Sequence, residues 1–354
     1  MLRRLLGALA AAAVLGLAAS DSTARGQVGG QGVANGGGFE WLPAGMRKRS
    51  YNLMKRAGAE WHRIEIKWSA VDRCNGTYDW SIYDDDVRAA RRRGLETLAT
   101  LAYSPRCWRP PATSDKWGPD TERRRAAFAA FAAATARRYR GRVSGYELWN
   151  EPNVEIFWRP APNVADYAAL VTRAYARIKA ADPAALVVAG ATAPAPDSSH
   201  RIDEVTFVRR AYEHGISGSF DAWSHHPYSA PFRPSMKHPQ NAWFQMCCGA
   251  PSIRSTMDAN GDGAKQIWGT EYGAESKLVG ERKQAAHIRE AYAVWASYPW
   301  AGVLFTYTLR DDTGFAGDTF GLLRADWRQK PAFAAFAKAA AGPRFHSFGG
   351  LGSS

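Results

Sequence analysis

The chain has 354 residues, 46% of them apolar and 12% aromatic, with a formal net charge of +13. This length suits two average domains or one (β/α)₈ barrel, which needs roughly 250 residues, and the apolar content is sufficient for a large core. The positive charge has two interpretations. We favour the first, in which Arg is simply the usual solvent-exposed cation of this sequence. The second is an anionic partner such as an acidic polysaccharide. Nucleic acid is not an expected partner, because the Arg runs 91–93 and 123–125 lie in helical patterns without a recognisable nucleic-acid module.

The N-terminus reads as a signal peptide over residues 1–24. Arg3 and Arg4 precede an apolar run over residues 5–19, and Ser22-Thr23-Ala24 is a suitable cleavage site. An uncleaved anchor is the alternative, although the run is short for a membrane span. We expect a secreted or cell-envelope protein without stable membrane insertion after cleavage, one domain over residues 25–345 and a tail over 346–354.

Eight β-type runs alternate with eight amphipathic helical patterns along the rest of the chain. The predicted strands cover residues 32–34, 61–66, 96–101, 144–149, 186–189, 220–225, 266–270 and 302–307. The predicted helices cover residues 44–56, 82–93, 121–139, 164–181, 203–214, 253–259, 281–297 and 331–341. Strict βα alternation predicts a parallel sheet, and eight units favour a single closed (β/α)₈ TIM barrel. An open doubly wound sheet is the alternative, but the first strand lacks a spaced Gly-rich phosphate loop.

Two glutamates end strands of this predicted barrel. Glu151 closes the fourth strand, where Pro152 prevents further pairing, and Glu271 closes the seventh, shortly before Gly273. Active-site residues of such barrels lie at the C-terminal ends of the strands. A pair of carboxyl groups can hydrolyse a glycosidic bond, with retention of configuration when they lie about 5–5.5 Å apart.

Several ordered motifs resemble the clan A glycoside hydrolases, most closely family 39 and the cellulase-type family 5. Their residues are Asn150-Glu151-Pro152, Thr270-Glu271-Tyr272-Gly273, the strand at 61–68, Gly76-Thr77-Tyr78-Asp79-Trp80, Tyr103-Ser104-Pro105 with Trp108, and His226-Pro227-Tyr228. The resemblance covers nearly the whole mature chain. It implies a retaining O-glycosyl hydrolase that acts on an extracellular poly- or oligosaccharide, with Glu151 as acid/base and Glu271 as nucleophile.

The same resemblance assigns roles to further residues. Asn150 would bind the hydroxyl next to the anomeric carbon, Arg63 and Tyr228 would hold the nucleophile ionised, and His226 would contact the substrate or the acid/base. Arg63 has an alternative, an interior ion pair with Glu65. Further substrate contacts are expected from Trp68, Tyr103, Trp108, Trp158 and Tyr307, of which Trp108 and Trp158 would be sugar platforms.

The chain also departs from these families. Family 39 xylosidases usually carry an additional β-sandwich for which this chain has no room, so their substrate is not transferred to it. The eighth strand ends near Tyr307 and Arg310 rather than at the Trp common in clan A, which changes the floor of the site that holds the scissile sugar. A catalytically inactive carbohydrate-binding barrel is the competing function, and a metal-dependent barrel hydrolase is a third.

Other chemistry is not indicated. We expect no cofactor and no metal site, because the run Asp258–Asp262 lacks the Glu that would complete a calcium loop, and adjacent His225 and His226 would point to opposite faces of a strand. Glu147 is interpreted as structural, and Glu155 and Glu275 are reserve candidates for catalysis. Four cysteines allow three pairings; we favour Cys74–Cys107, in loops that follow neighbouring strands, which leaves Cys247 and Cys248 bonded to each other or free. A monomer is expected.

Overall fold

The computed structural model describes residues 29–36, 38–312 and 317–340. The predicted signal peptide and the C-terminal tail lie outside these residues. Within the described part of the chain, no helix has the length and apolar character needed to cross a membrane.

Eight parallel strands pair in chain order and close into one barrel, as the alternating pattern predicts. The strands are β1 Gly30–Ala34, β2 Trp61–Lys67, β3 Glu96–Ala102, β4 Gly145–Leu148, β5 Leu186–Thr192, β6 Ala222–His225, β7 Gln266–Tyr272 and β8 Ala301–Tyr307. Closure is completed by β1, which pairs with both β2 and β8. The open sheet is therefore excluded, and the fold is a (β/α)₈ barrel.

The helices surround the barrel. They are α1 Ala44–Arg56, α2 Trp68–Val71, α3 Ser81–Arg91, α4 Glu122–Tyr139, α5 Val164–Ala181, α6 Glu204–Glu213, α7 Ala242–Cys247, α8 Ile253–Ala259, α9 Ser276–Val279, α10 Glu281–Ala296 and α11 Pro331–Ala340. Eight of them correspond to the predicted helices. The short α2, α7 and α9 were not predicted as separate elements, because one or two turns carry too little periodicity to be recognised.

The core has two parts. A large cluster lies between the strands and the surrounding helices, and a smaller one fills the lower part of the barrel with Trp61, Trp268, Phe305 and their neighbours. Above this apolar plug the barrel interior turns polar: Arg63, Glu147, Thr100 and Ser224 are all fully buried. The polar residues therefore lie toward the C-terminal ends of the strands, where barrel sites are built.

Both disulfide bonds form. Cys74 and Cys107 are bonded with their Cα atoms 5.7 Å apart, which confirms the favoured pairing and joins the β2–α3 loop to the β3–α4 loop. Cys247 is bonded to Cys248 at the end of α7.

Candidate active site

A buried ion pair organises the polar end of the barrel. Arg63 on β2 donates from Nε to Glu147 Oε2 at 2.7 Å, and neither side chain is exposed. Thr100 and Ser224 donate to the two oxygens of Glu147 at 2.7 and 2.8 Å. Glu147 is thus fully satisfied inside the barrel, in agreement with its interpretation as a structural residue.

The rest of the Arg63 guanidinium reaches the two strand-end motifs. Nη1 donates to Glu271 Oε1 at 2.5 Å and Nη2 donates to Asn150 Oδ1 at 2.9 Å. Burial alone would lower the pKa of Arg63, but the negative charges of Glu147 and Glu271 have the larger combined effect and raise it. Arg63 therefore stays cationic, and its direct contacts are with these residues rather than with Glu65, the alternative partner.

Glu271 is held at both oxygens. Besides the Arg63 contact at Oε1, the hydroxyl of Tyr228 donates to Oε2 at 2.8 Å. Burial, and then the charge of Glu271, raise the pKa of Tyr228 well above its usual range, so this hydroxyl keeps its proton and remains a donor. A cation and a neutral donor therefore fix the orientation of this carboxylate through both of its oxygens.

Glu151 projects over the mouth of the barrel from an unusual backbone conformation. Its φ is +44° and that of Trp149 is +74°, in the left-handed region that side chains other than Gly rarely adopt. The Glu151 amide donates to the carbonyl oxygen of Ala191 at 3.0 Å, which ties this turn to β5. Local strain of this kind clusters at functional sites.

His226 connects the two candidate catalytic carboxylates. Its Nδ1 lies 2.9 Å from Glu151 Oε1 and 3.7 Å from Glu271 Oε2. Burial would lower the pKa of His226, but the negative charges of Glu271 and Glu151 overcome this and raise it. The neighbouring His225 bonds Thr192 instead, at 3.0 Å, as expected from opposite faces of one strand.

The two carboxyl groups face each other at short range. One carboxylate oxygen of Glu151, one of Glu271 and one ring nitrogen of His226 all lie within 4.8 Å of one another. This separation is close to that of a retaining pair and well below the roughly 6.5–9.5 Å needed to admit a water molecule in inverting enzymes. The same three atoms could also surround a divalent ion, but Glu271 already accepts from Arg63 and Tyr228 at its two oxygens, and the Arg63 cation would repel a metal there.

Two of the predicted substrate contacts lie beside this pair. Asn150 is almost fully buried, and with its oxygen bonded to Arg63 its amide nitrogen is left to donate. The ring of Tyr307 packs against Tyr228, with ring centroids 6.3 Å apart. Tyr307 therefore packs against the residue that contacts Glu271.

The structure corrects the expectation for three aromatic residues. Trp68, Tyr103 and Trp158 are each exposed by 1% or less. Trp158 packs between Trp149 and Tyr167, and the Tyr103 hydroxyl donates to Glu65 Oε1 at 2.9 Å. Because protein covers their rings, Trp68 and Tyr103 offer no surface for the expected substrate contact and Trp158 offers none for a sugar platform. Tyr103 instead positions Glu65.

Trp108 is half-buried but lies in a different place. It stacks on Trp68 at 6.2 Å and lines a cavity of about 500 Å³ beside the Cys74–Cys107 bond. Among the described residues, no contact joins Trp108 to Glu151 or Glu271. Its role as a platform near the scissile bond therefore has no support from its position.

The two reserve candidates for catalysis, Glu155 and Glu275, form ion pairs away from the Glu151–Glu271 pair. Glu155 contacts His200 and Arg159 on the surface of the β4–α5 loop, and Glu275 pairs with Lys277 at 3.1 Å.

Sequence reasoning assigned no role to Asn35, which directly follows β1. Strand alternation does not point to this residue, because Ala34 packs inside the barrel and Val33 outside it. Glu65, considered only as an alternative partner of Arg63, shares the inward face of β2 with Trp61 and accepts from Tyr103, so alternation could have identified it.

The fold is similar to those of several glycoside hydrolases. A family 39 glycoside hydrolase from the gut symbiont Bacteroides cellulosilyticus WH2 matches with a TM-score of 0.71 and 22% identity, over 89% of this chain and 64% of the other. A monomeric β-xylosidase from Caulobacter crescentus CB15 matches with a TM-score of 0.67 and 17% identity, over 90% and 70% of the chains. Xylanase 10B from Thermotoga maritima matches with a TM-score of 0.60 and 16% identity, over 89% and 95%.

These likenesses show the same (β/α)₈ fold in proteins that share little sequence with this chain. The chain spans only about two thirds of the length of the first of these proteins but nearly all of the xylanase. No protein-family model matches the sequence, and no curated protein matches it.

Proposed function

We propose that this chain is a retaining glycoside hydrolase that cleaves O-glycosidic bonds by double displacement. The observation that carries the proposal is the Glu151–Glu271 pair, whose carboxylate oxygens lie within 4.8 Å of each other where β4 and β7 reach the mouth of the barrel. Glycoside hydrolases among the proteins of similar fold give it further support.

In the first step, Glu271 attacks the anomeric carbon while Glu151 protonates the departing oxygen. Arg63 and Tyr228 each donate to one oxygen of Glu271 and so fix its direction. In the second step, ionised Glu151 takes a proton from water, which attacks the glycosyl ester and releases the sugar with its original configuration. Asn150 would donate to the hydroxyl next to the anomeric carbon.

The roles are tested with Glu151→Ala and Glu271→Ala on a panel of aryl β-glycosides and polysaccharides. We expect each variant to lose at least about 10³-fold in kcat. Azide should restore the Glu271 variant and yield a glycosyl azide of inverted configuration. Matched controls are Glu155→Ala and Glu275→Ala, which remove carboxylates from the same two loops.

Three outcomes count against the proposal. One is a wild-type protein that binds glycans but cleaves none, as an inactive carbohydrate-binding barrel would. Another is retained activity in both Glu variants. The third is a first-formed product of inverted configuration, detected by NMR.

We further propose that the protein is exported, acts on extracellular glycans and works as a monomer. The N-terminal pattern and the Cys74–Cys107 bond support export, because disulfides persist in oxidising compartments. One of the proteins of similar fold is described as monomeric. N-terminal sequencing of protein from the culture medium and envelope should find the chain beginning after Ala24, and full-length chain in the cytoplasm alone would contradict export.

A further inference from the structure

The positive charge of the chain is distributed unevenly among the turns that lead from a helix into the next strand. These turns lie at the N-terminal ends of the barrel strands, opposite the mouth, because each helix runs back along its strand. We count each turn from the third-last helical residue to the residue before the strand. The turns after α1, α3 and α4, over residues 54–60, 89–95 and 137–144, contain nine basic residues and one acid.

The other four turns show the reverse balance. They follow α5, α6, α8 and α10 and contain two lysines and five acids. Their ranges are 179–185, 211–221, 257–265 and 294–300. A general preference of the sequence for Arg would place basic residues at all of these turns, so it does not account for their concentration at three.

The helix dipole does not account for the concentration either. Basic side chains are favoured in the last turn of a helix, but α8 and α10 have none there. Four of the nine basic residues lie beyond the last helical residue, where the helix needs no cation: Arg92, Arg93, Arg140 and Arg142.

The three basic turns form one continuous surface. They lead into β2, β3 and β4, which are neighbours in the barrel. Lys55 Nζ donates to the carbonyl oxygen of Gly94 at 3.4 Å, and Arg91 Nη1 donates to that of Gly141 at 2.5 Å. Neighbouring helices pack about 8–10 Å apart, so the three helix ends span roughly 20 Å. We call this surface the basic face; its members are Lys55, Arg56, Arg91, Arg92, Arg93, Arg137, Arg138, Arg140 and Arg142.

The charges of the basic face are accessible to a partner. Eight of the nine side chains are exposed, and Arg93 is half-buried. Within the described residues, Arg138 is the one member that forms an ion pair, with Asp84. The exposed acids at this end of the barrel are Glu60 and Glu96, the latter at the start of β3. A polyanion therefore binds here without displacing a set of internal ion pairs.

An acidic polysaccharide fits this face better than a bilayer or a nucleic acid. Among the described residues, the exposed large apolar side chains all lie in loops that follow strands, at the mouth end: Trp41, Ile156, Met236 and Leu278. The basic face thus offers no large apolar side chain to insert into a bilayer or to stack on a base. Guanidinium groups pair with carboxylates through two parallel hydrogen bonds, and a polyuronate carries a carboxylate on every sugar unit.

We propose that the basic face binds an acidic polysaccharide of the polyuronate type and holds the protein on it with the mouth of the barrel directed away. The basic face and the Glu151–Glu271 pair lie at opposite ends of the barrel, so both can be occupied at once. This inference concerns a surface separate from the candidate active site and does not depend on the proposed glycosidase function.

The test measures binding of polygalacturonate at low ionic strength to the triple variant Arg56→Gln/Arg92→Gln/Arg140→Gln. These side chains are exposed and make no hydrogen bond or ion pair within the described part of the chain, so their replacement should leave the melting temperature unchanged. We expect the Kd to rise by about tenfold or more, because three exposed charge contacts are lost.

The matched control is Arg282→Gln/Lys283→Gln/Arg289→Gln, which removes the same three positive charges from exposed positions of α10. This helix follows β7, which lies across the barrel from β3. The control should change the Kd by less than about twofold, because it alters the net charge without altering the basic face. Equal weakening in both triple variants would show that binding follows net charge alone and would overturn the proposal.

Hydrogen exchange locates the contact without requiring enzyme activity. Polygalacturonate should slow amide exchange in residues 54–60, 89–95 and 137–144 and leave the β4–α5 loop unchanged. Protection at the mouth loops in place of these turns would overturn the orientation.

Two further ligands test the choice of partner. Tighter binding to vesicles of phosphatidylcholine and phosphatidylglycerol (4:1), or to duplex DNA, than to polygalacturonate would overturn the assignment to a polysaccharide. Loss of the basic-face interaction would leave glycoside cleavage untouched, and a protein that cleaves no glycoside would still show this binding, so the two proposals fail separately.

Discussion

Arg63 is the residue on which the geometry of the site depends. It binds Glu147, Asn150 and Glu271 from one fully buried guanidinium. Glu147 is fully buried, yet it sets the position of the cation that contacts Glu271, the proposed nucleophile. Removal of Glu147 leaves the buried Arg63 cation with one carboxylate contact, to Glu271, in place of two, and loss of a partner from an internal ion pair is costly.

We therefore expect Glu147→Gln to destabilise the fold by about 3–5 kcal/mol, measured by urea unfolding. The same variant should lower kcat, because Arg63 loses the partner that fixes its orientation toward Glu271. Glu155→Gln, on the surface, should change neither quantity appreciably. A Glu147→Gln protein as stable and active as the wild type would show that Arg63 is positioned by other contacts.

At the scale of elements, the loops after β2 and β3 are joined covalently. The Cys74–Cys107 bond spans 33 residues of sequence, whereas Cys247–Cys248 closes almost no loop. A cross-link that closes a longer loop removes more conformational freedom from the unfolded chain. The two bonds of this protein should therefore differ sharply in what they contribute to stability.

The double variant Cys74→Ser/Cys107→Ser should lose about 2–4 kcal/mol of unfolding free energy. The matched control Cys247→Ser/Cys248→Ser should lose much less. Urea melts with and without reductant provide the measurement, since reductant should have little further effect on the first variant. Equal losses in both double variants would contradict an origin in loop closure.

The start of α6 contains a buried acid outside the active site. Glu204 accepts from the Ala195 amide at 3.0 Å, but its other oxygen has no partner. Burial raises the pKa of Glu204 to about 8. Because the folded state binds this proton more tightly than the unfolded state, the protein loses stability as pH rises from about 4.5 to about 8.

Glu204→Gln keeps the acceptor for Ala195 and removes the titration. Near pH 4.5 the melting temperature of the variant should equal that of the wild type or lie slightly below it. As the pH rises to about 8, the variant should become progressively more stable than the wild type. Melting temperatures across this range test the trend, with Glu213→Gln at the exposed end of α6 as the control. A constant difference between variant and wild type at all pH values would contradict the assignment.

At the scale of the whole molecule, basic residues outnumber acidic ones. The formal net charge of the chain is +13, and a basic exterior can attract an acidic polymer independently of what the candidate site binds. Long-range attraction of this kind is screened by salt.

We expect co-sedimentation with polygalacturonate at low ionic strength that is lost by roughly 0.5 M NaCl, where the Debye length is only a few ångströms. Hydrolysis of a neutral aryl glycoside should vary far less over the same range. Neutral dextran is the control polymer. Binding that persists in high salt, or equals that to dextran, would show that the positive charge does not serve an acidic partner.

The sequence was sufficient to predict the barrel and the two strand-end glutamates. Strand and helix periodicities are local, and Glu151 and Glu271 are recognisable because each lies close to the C-terminal end of a strand in a counted series, three residues beyond β4 and one residue before the end of β7. The same locality explains the errors. Trp68 and Trp158 lie at suitable positions in the chain, but their burial depends on residues packed against them from other elements.

Only the tertiary structure decided how the site is assembled. Arg63 forms its hydrogen bonds with Glu147 and Glu271, which are 84 and 208 residues away in the sequence. It does not pair with Glu65, which lies two residues along its own strand. The close approach of Glu151 to Glu271 and the link through His226 likewise arise where distant strand ends meet. Periodicity and motifs identify which residues face the mouth of the barrel, whereas barrel closure brings those residues within hydrogen-bonding distance of one another.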